Sequence, residues 1–220
     1  MADTNEPKPT FFKSSLSLSK EPFDLTGSFR PPTVDTLFDI EGNVKPDEAR
    51  LILLSDTNHE NMGVGLSIAQ YLTATAKPGD TILLEGAASG ERVDLKERPL
   101  LQNLPAEVRV IGWDDKDAYV EGERLYGELE QLERELKSDE ISGPEKMILR
   151  IKRGDLTGRI NETVIVRRNQ SLVRSLEGMF KGEGHSEKVY VVLGQDHLTA
   201  DDRVNQFSQT VPHVVLTPKW

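Results

Sequence analysis

The chain has 220 residues, of which 36% are hydrophobic and 29% charged, with no cysteine and a formal net charge of −10. That is the composition of one polar globular domain with its own core, and it excludes disulfides, thiol nucleophiles and cysteine metal sites. The charge argues against general nucleic-acid binding and against an anionic membrane surface, and no apolar run reaches the roughly 18 residues that a bilayer span needs.

Residues 1–36 read as a separate Pro/Ser/Thr-rich extension. They hold five of the twelve prolines and four of the seven phenylalanines, Phe11, Phe12, Phe23 and Phe29. The composition predicts weak order, and the phenylalanines predict that part of the segment docks on the domain or on a protein partner. No charged-then-apolar leader opens the chain. The expected location is therefore the cytoplasm, or export through a specialised secretion system without a cleaved signal peptide, since the Ser-rich leader is similar to those of such exported proteins.

From residue 37 to 220 a single α/β domain is expected. The first apolar run, LILL at 51–54, reads as a buried strand and leads into Ser55, Asp56 and His59. Leu66, Ala69, Leu72 and Ala76 then recur at helical spacing and stop at Lys77-Pro78-Gly79. TILLE at 81–85 and VRVIG at 108–112 are the second and third strands, ending in Glu85 and in Trp113-Asp114-Asp115. A helix over 117–138 follows, with Leu125, Leu129, Leu132 and Leu136 as its stripe. Eleven acids against four bases between Asp114 and Glu140 make this the most acidic stretch, which a solvated helix face explains. Two further helices are predicted, from Pro144 to about Arg153 and from about Leu156 to Lys181. VYVVLG at 189–194 is the fourth strand, followed by Asp196 and His197, and HVVL at 213–216 reads as a fifth. Strands alternating with helices imply a mainly parallel central sheet flanked by helices.

Ligands of such sheets bind beyond the carboxyl ends of the strands. Four strand ends deliver Asp56 with His59, Glu85, Asp114 and His197 to that edge. On the long helix, Ile165, Leu172 and Leu176 form a buried stripe that includes Asn169, with Arg168 beside it. A buried Arg-Asn pair needs hydrogen-bonding partners, and Glu85 or Asp114 supplies carboxylates for the guanidinium. Asp114 or Asp115 also suits the N-cap of the acidic helix. His185 and His213 read as structural.

The stretches SDTNH, LLEG, RRNQSLVRSL and VVLGQDHL, in this order over residues 51–205, resemble the superfamily of erythromycin-esterase-like, ChaN-like and TraB/Tiki-like proteins. VRVIGWDD is similar to the Gly-aromatic-Asp segment of the esterase-like branch. Ser55 stands where the family has glycine, and Asp56 where the esterase-like branch has glutamate, so that carboxylate is one methylene shorter. The superfamily includes ester hydrolases, metal-dependent proteases and a haem-binding branch. The resemblance thus implies a pocket for a small-molecule or peptide substrate with His59, Asp56, Glu85, Arg168 and His197 as catalytic candidates. His59, His197 and Glu85 are the candidate ligands of a divalent Mn, Co or Zn ion that activates water. Metal-free chemistry, with His59 as the base, stays open beside it. Two other classes also stand: a haem or small-ligand binding module, and a partner-binding protein with a vestigial pocket.

Overall fold

The computed structural model describes residues 34–57, 61–138, 141–181 and 187–219. Residues 1–33, which hold most of the predicted extension, lie outside the described residues, as do His59 and His185.

Six strands form one sheet in the order β1-β6-β2-β5-β3-β4. The strands are β1 (Phe38–Gly42), β2 (Leu51–Asp56), β3 (Thr81–Ala88), β4 (Arg109–Asp114), β5 (Val189–Gly194) and β6 (His213–Pro218). All five strands read from the sequence are present and parallel, and helices flank them. β1 is an added antiparallel edge strand on β6, entered through the single helical turn α1 (Val34–Leu37). Its segment, FDIEG, buries only Phe38 and leaves the rest exposed, so it carries no apolar run of the kind that marks the central strands. No helix among the described residues is long and apolar enough to cross a membrane.

Each central strand is buried on both faces, and period-2 alternation sorts its side chains. Ile52, Leu54, Ile82, Leu84, Tyr190 and Val192 pack with α2 (Met62–Thr75). Leu51, Leu53, Leu83, Val191 and Leu193 pack on the other side with Leu172 and Leu176. The amino edge is tied by Asp80, whose carboxylate accepts the backbone N–H groups of Lys77 and Lys188, both at 2.8 Å. His213 lies buried at this edge with its backbone N–H on Asn43, a structural position as expected.

The two helices predicted around residues 144–181 are one continuous helical run. It consists of α4 (Gly143–Ile160), a π-helical segment (Asn161–Arg167) and α5 (Arg168–Phe180). The expected break near Gly154-Asp155 does not occur. A mid-helix glycine costs only about 1 kcal/mol, and Leu156 and Ile160 offset it by packing against Leu125 of α3 (Lys116–Leu136). The π segment is the local departure that matters, because such insertions re-aim the next turn. Here the next turn begins with Arg168 and Asn169.

A second irregularity lies in β3. Leu84 pairs with Gly112, and the next pair is Ala88 with Asp114, so three residues of β3 stand against one of β4. Gly86, at φ +83°, supplies the left-handed turn within this bulge. The bulge brings its backbone down onto β4, and a Cβ on Gly112 would overlap the main chain of Ala87 and Ala88. Gly112→Ala is expected to lower the urea midpoint by at least ~2 kcal/mol equivalent at unchanged m, because backbone cannot step aside as a side chain can. An unchanged midpoint would mean that the bulge is not held against β4.

Candidate active site

β2 and β5 are parallel neighbours with Asp56 in register with Gly194, and β3 lies on the other side of β5. The strand ends of the predicted constellation therefore share one edge. What each delivers depends on alternation and on the helix above.

Glu85 follows Leu83 on the α5 face, where Arg168 descends from the first turn of α5. The guanidinium is 1% exposed and lies between two carboxylates that are 3% and 2% exposed. Its Nη2 donates to Glu85 Oε1 at 2.7 Å and to Asp114 Oδ2 at 2.9 Å, and its Nε donates to Asp114 Oδ1 at 2.5 Å. The bidentate grip on Asp114 matches the fork geometry that arginine offers and lysine does not. Burial works against the guanidinium's charge, but Asp114 and Glu85 outweigh it and hold its pKa above the ordinary arginine value. The Trp113 ring lies 5.5 Å from the guanidinium carbon and adds its negative face to the charge balance.

The backbone completes both carboxylates. Gly194 N–H donates to Glu85 Oε2 at 2.8 Å, and Gly86 N–H to Asp114 Oδ2 at 2.6 Å. Glu85 thus links the ends of β3 and β5, while Asp114 links β4 to the β3 bulge. Asp115, not Asp114, is the N-cap of α3, accepting from Ala118 N–H.

His197 is held from the other side. Asn169 is fully buried, and its Nδ2 donates to the carbonyl of His197 and to Asp201 Oδ2, both at 2.9 Å. Those two acceptors assign the amide orientation, so the Oδ1 facing the ring at 2.6 Å is an acceptor and His197 Nδ1 is its donor. The neutral ring therefore carries its proton on Nδ1 and its lone pair on Nε2. Nε2 faces Glu85 Oε1 at 3.6 Å, within ion-pair range once the ring is charged. Trp113 abuts the ring edge-to-face, with centroids 5.2 Å apart.

Five predicted residues thus come together: Glu85, Asp114, Arg168, Asn169 and His197. Arg168 hydrogen-bonds Glu85 and Asp114, Asn169 hydrogen-bonds His197, and the two groups meet where His197 Nε2 stands 3.6 Å from Glu85; Asp56 comes from the neighbouring strand β2. It is buried at the end of β2, where its backbone carbonyl accepts Gln195 N–H at 3.4 Å. Alternation turns its side chain toward the face of Ile52 and Leu54, opposite that of Glu85. His59 lies outside the described residues. Sequence reading missed Asp201, which anchors Asn169 while its other oxygen pairs with Arg203 at 2.6 Å. The DHLTADD run places Asp201 four residues after His197, just past the short helix Asp196–Thr199. That spacing was the available signal.

No family model, curated protein or solved structure matches the chain.

Proposed function

We propose that the chain hydrolyses an ester or peptide bond, with His197 as its acid–base group, as a member of the superfamily that the strand-end motifs resemble. The observation that carries this reading is the orientation of His197: Asn169 occupies Nδ1, so the basic lone pair on Nε2 is aimed beside Glu85. As water attacks the substrate carbonyl, Nε2 takes its proton, and Glu85 stabilises the imidazolium so formed. The proton then passes to the leaving oxygen or nitrogen as the tetrahedral intermediate collapses. Arg168 keeps Glu85 in place, and Asn169 with Asp201 keeps the ring in its tautomer. His59 is the proposed second histidine, reached from the end of β2 next to β5.

A divalent Mn, Co or Zn ion would take His197 Nε2 and Glu85, with His59 as third ligand. Such an ion would lower the pKa of a bound water. Among the described residues no group of three His, Asp or Glu side chains forms a metal shell. Both oxygens of Glu85 already accept hydrogen bonds, from Arg168 and Gly194, so a metal would share the carboxylate with them. No proton transfer above depends on the ion. If the two histidines do share one, it raises the melting temperature of the wild type and not of a His59→Ala/His197→Ala variant.

A second reading draws on burial. His197, Glu85, Asp114 and Arg168 are each at most 3% exposed, as befits a clasp holding strand ends in a partner-binding protein with a vestigial pocket, its Phe-rich extension binding the partner. Haem ranks behind both, because Nε2 is directed at a carboxylate; a Soret band on adding haem would reverse that order. The deciding experiment is a panel of activated esters and peptides assayed with and without added metal. Turnover by the wild type that His197→Gln abolishes supports hydrolysis. Absence of turnover across the panel, with the double variant as stable as the wild type in every metal, favours the second reading.

A further inference from the structure

The α3–α4 pair carries an apolar face that the domain does not use. α3 and α4 form an antiparallel hairpin whose shared core is Leu125, Leu156 and Ile160, with Leu129 and Tyr126 against it. On α4 only Leu156 and Ile160 are buried, both in its second half, so its first three turns stand clear of the sheet. There Met147, Ile148 and Ile151 are 66%, 54% and 58% exposed. At 100° per residue the three fall within a ~100° arc on the side of α4 opposite Leu156 and Ile160. An apolar face opposite the packed one has no role in the fold of a single chain.

The charges around that face identify what covers it. Lys152 and Arg159 flank it on one side and Arg150 on the other, and α4 as a whole carries five bases against Glu145 and Asp155. α3 has the opposite balance, with seven acids against Lys116, Arg124 and Arg134. Within the chain, Glu121 is used by Arg124 and Arg159, and Glu128 by Arg124. Glu130, Glu133 and Glu135 remain exposed with no ion pair among the described residues. A stripe flanked by bases is complemented by an apolar partner that also carries acids, and the same hairpin on a second copy brings its own stripe with the acidic α3 beside it. The chain's own residues 1–33 carry four acids and four bases and bring no net complement. An anionic lipid surface would meet a molecule of net charge −10 with acidic α3 beside the stripe.

We propose that the chain forms a two-fold homodimer in which α4 packs antiparallel on α4 of the second copy, Met147, Ile148 and Ile151 at the centre, with the bases of each α4 facing the acids of the other α3. The result is a closed four-helix arrangement with a self-complementary interface. It is independent of the hydrolytic reading.

Sedimentation equilibrium on the full chain tests it, with Ile148→Glu/Ile151→Glu as the disruptive variant. Both positions are exposed, so circular dichroism and melting temperature should match the wild type, while dimerisation weakens by more than about tenfold because two carboxylates enter an apolar contact. Salt should also weaken the wild-type dimer. Ile151→Cys, in a chain with no other cysteine, should oxidise to a disulfide-linked dimer, and Gln102→Cys should not. A wild type that stays monomeric, or a dimer untouched by the double variant, overturns the proposal. So does resistance of Met147 to oxidation by peroxide in a monomer, which would mean that the chain covers its own stripe. Co-sedimentation of a monomer with anionic vesicles, lost in the double variant, would make lipid the occupant instead.

Discussion

Arg168→Met is expected to cost about 3–5 kcal/mol of stability, the range for removing one partner of a buried ion pair. For a domain of this size that corresponds to a fall in melting temperature of roughly 6–20 °C. The cost comes less from the lost attraction than from what remains. Glu85 and Asp114 are nearly inaccessible to water, and without the guanidinium each keeps only its other hydrogen bonds while carrying an uncompensated charge. The same substitution releases the first turn of α5 from the ends of β3 and β4. The triple variant Arg168→Met/Glu85→Gln/Asp114→Asn removes the charges together and should recover much of the loss. A shift under ~1 kcal/mol in Arg168→Met alone would show that water reaches the carboxylates and that the cluster is not closed.

His197→Gln is expected to lower hydrolytic turnover by about 10²–10⁴-fold, the usual contribution of a positioned acid–base group. Its structural cost should be small by comparison. The ring gives up one hydrogen bond to Asn169, worth about 1 kcal/mol, or roughly 2–4 °C, and the backbone carbonyl that Asn169 also holds is unchanged. The separation of the two effects distinguishes the readings. A catalytic histidine loses rate and keeps stability; a structural one loses stability and has no rate to lose. Asn169→Ala should sit between them, because it frees the ring to adopt the other tautomer without removing the base.

The fold was legible because the strands are buried on both faces and so appear as uninterrupted apolar runs, each closed by polar residues that mark the carboxyl edge. The Arg168 contacts were legible for a related reason: a polar pair on an apolar helix stripe must find partners, and strand-end carboxylates are the ones such a sheet presents. Several features were not. β1 has too little buried surface to show as a run. The continuity from α4 to α5 depends on packing of Leu156 and Ile160 that overrides the local cost of Gly154. The position of Asp56 follows from parity, since Ile52, Leu54 and Asp56 share one face while Leu83 and Glu85 share the other, and being on one edge of a sheet does not place two residues on one face. Asp201 was hidden because its role runs through Asn169, a residue 32 positions away.

The hydrolytic reading rests most directly on which nitrogen of His197 is free, and ¹⁵N NMR of the labelled histidine at neutral pH reads that state. Nδ1 should show the shift of a protonated nitrogen, with a proton coupled to it, and Nε2 that of an unprotonated one. A spectrum with the proton on Nε2 would point the ring's lone pair at Asn169, leave no base beside Glu85, and contradict the proposed role of His197.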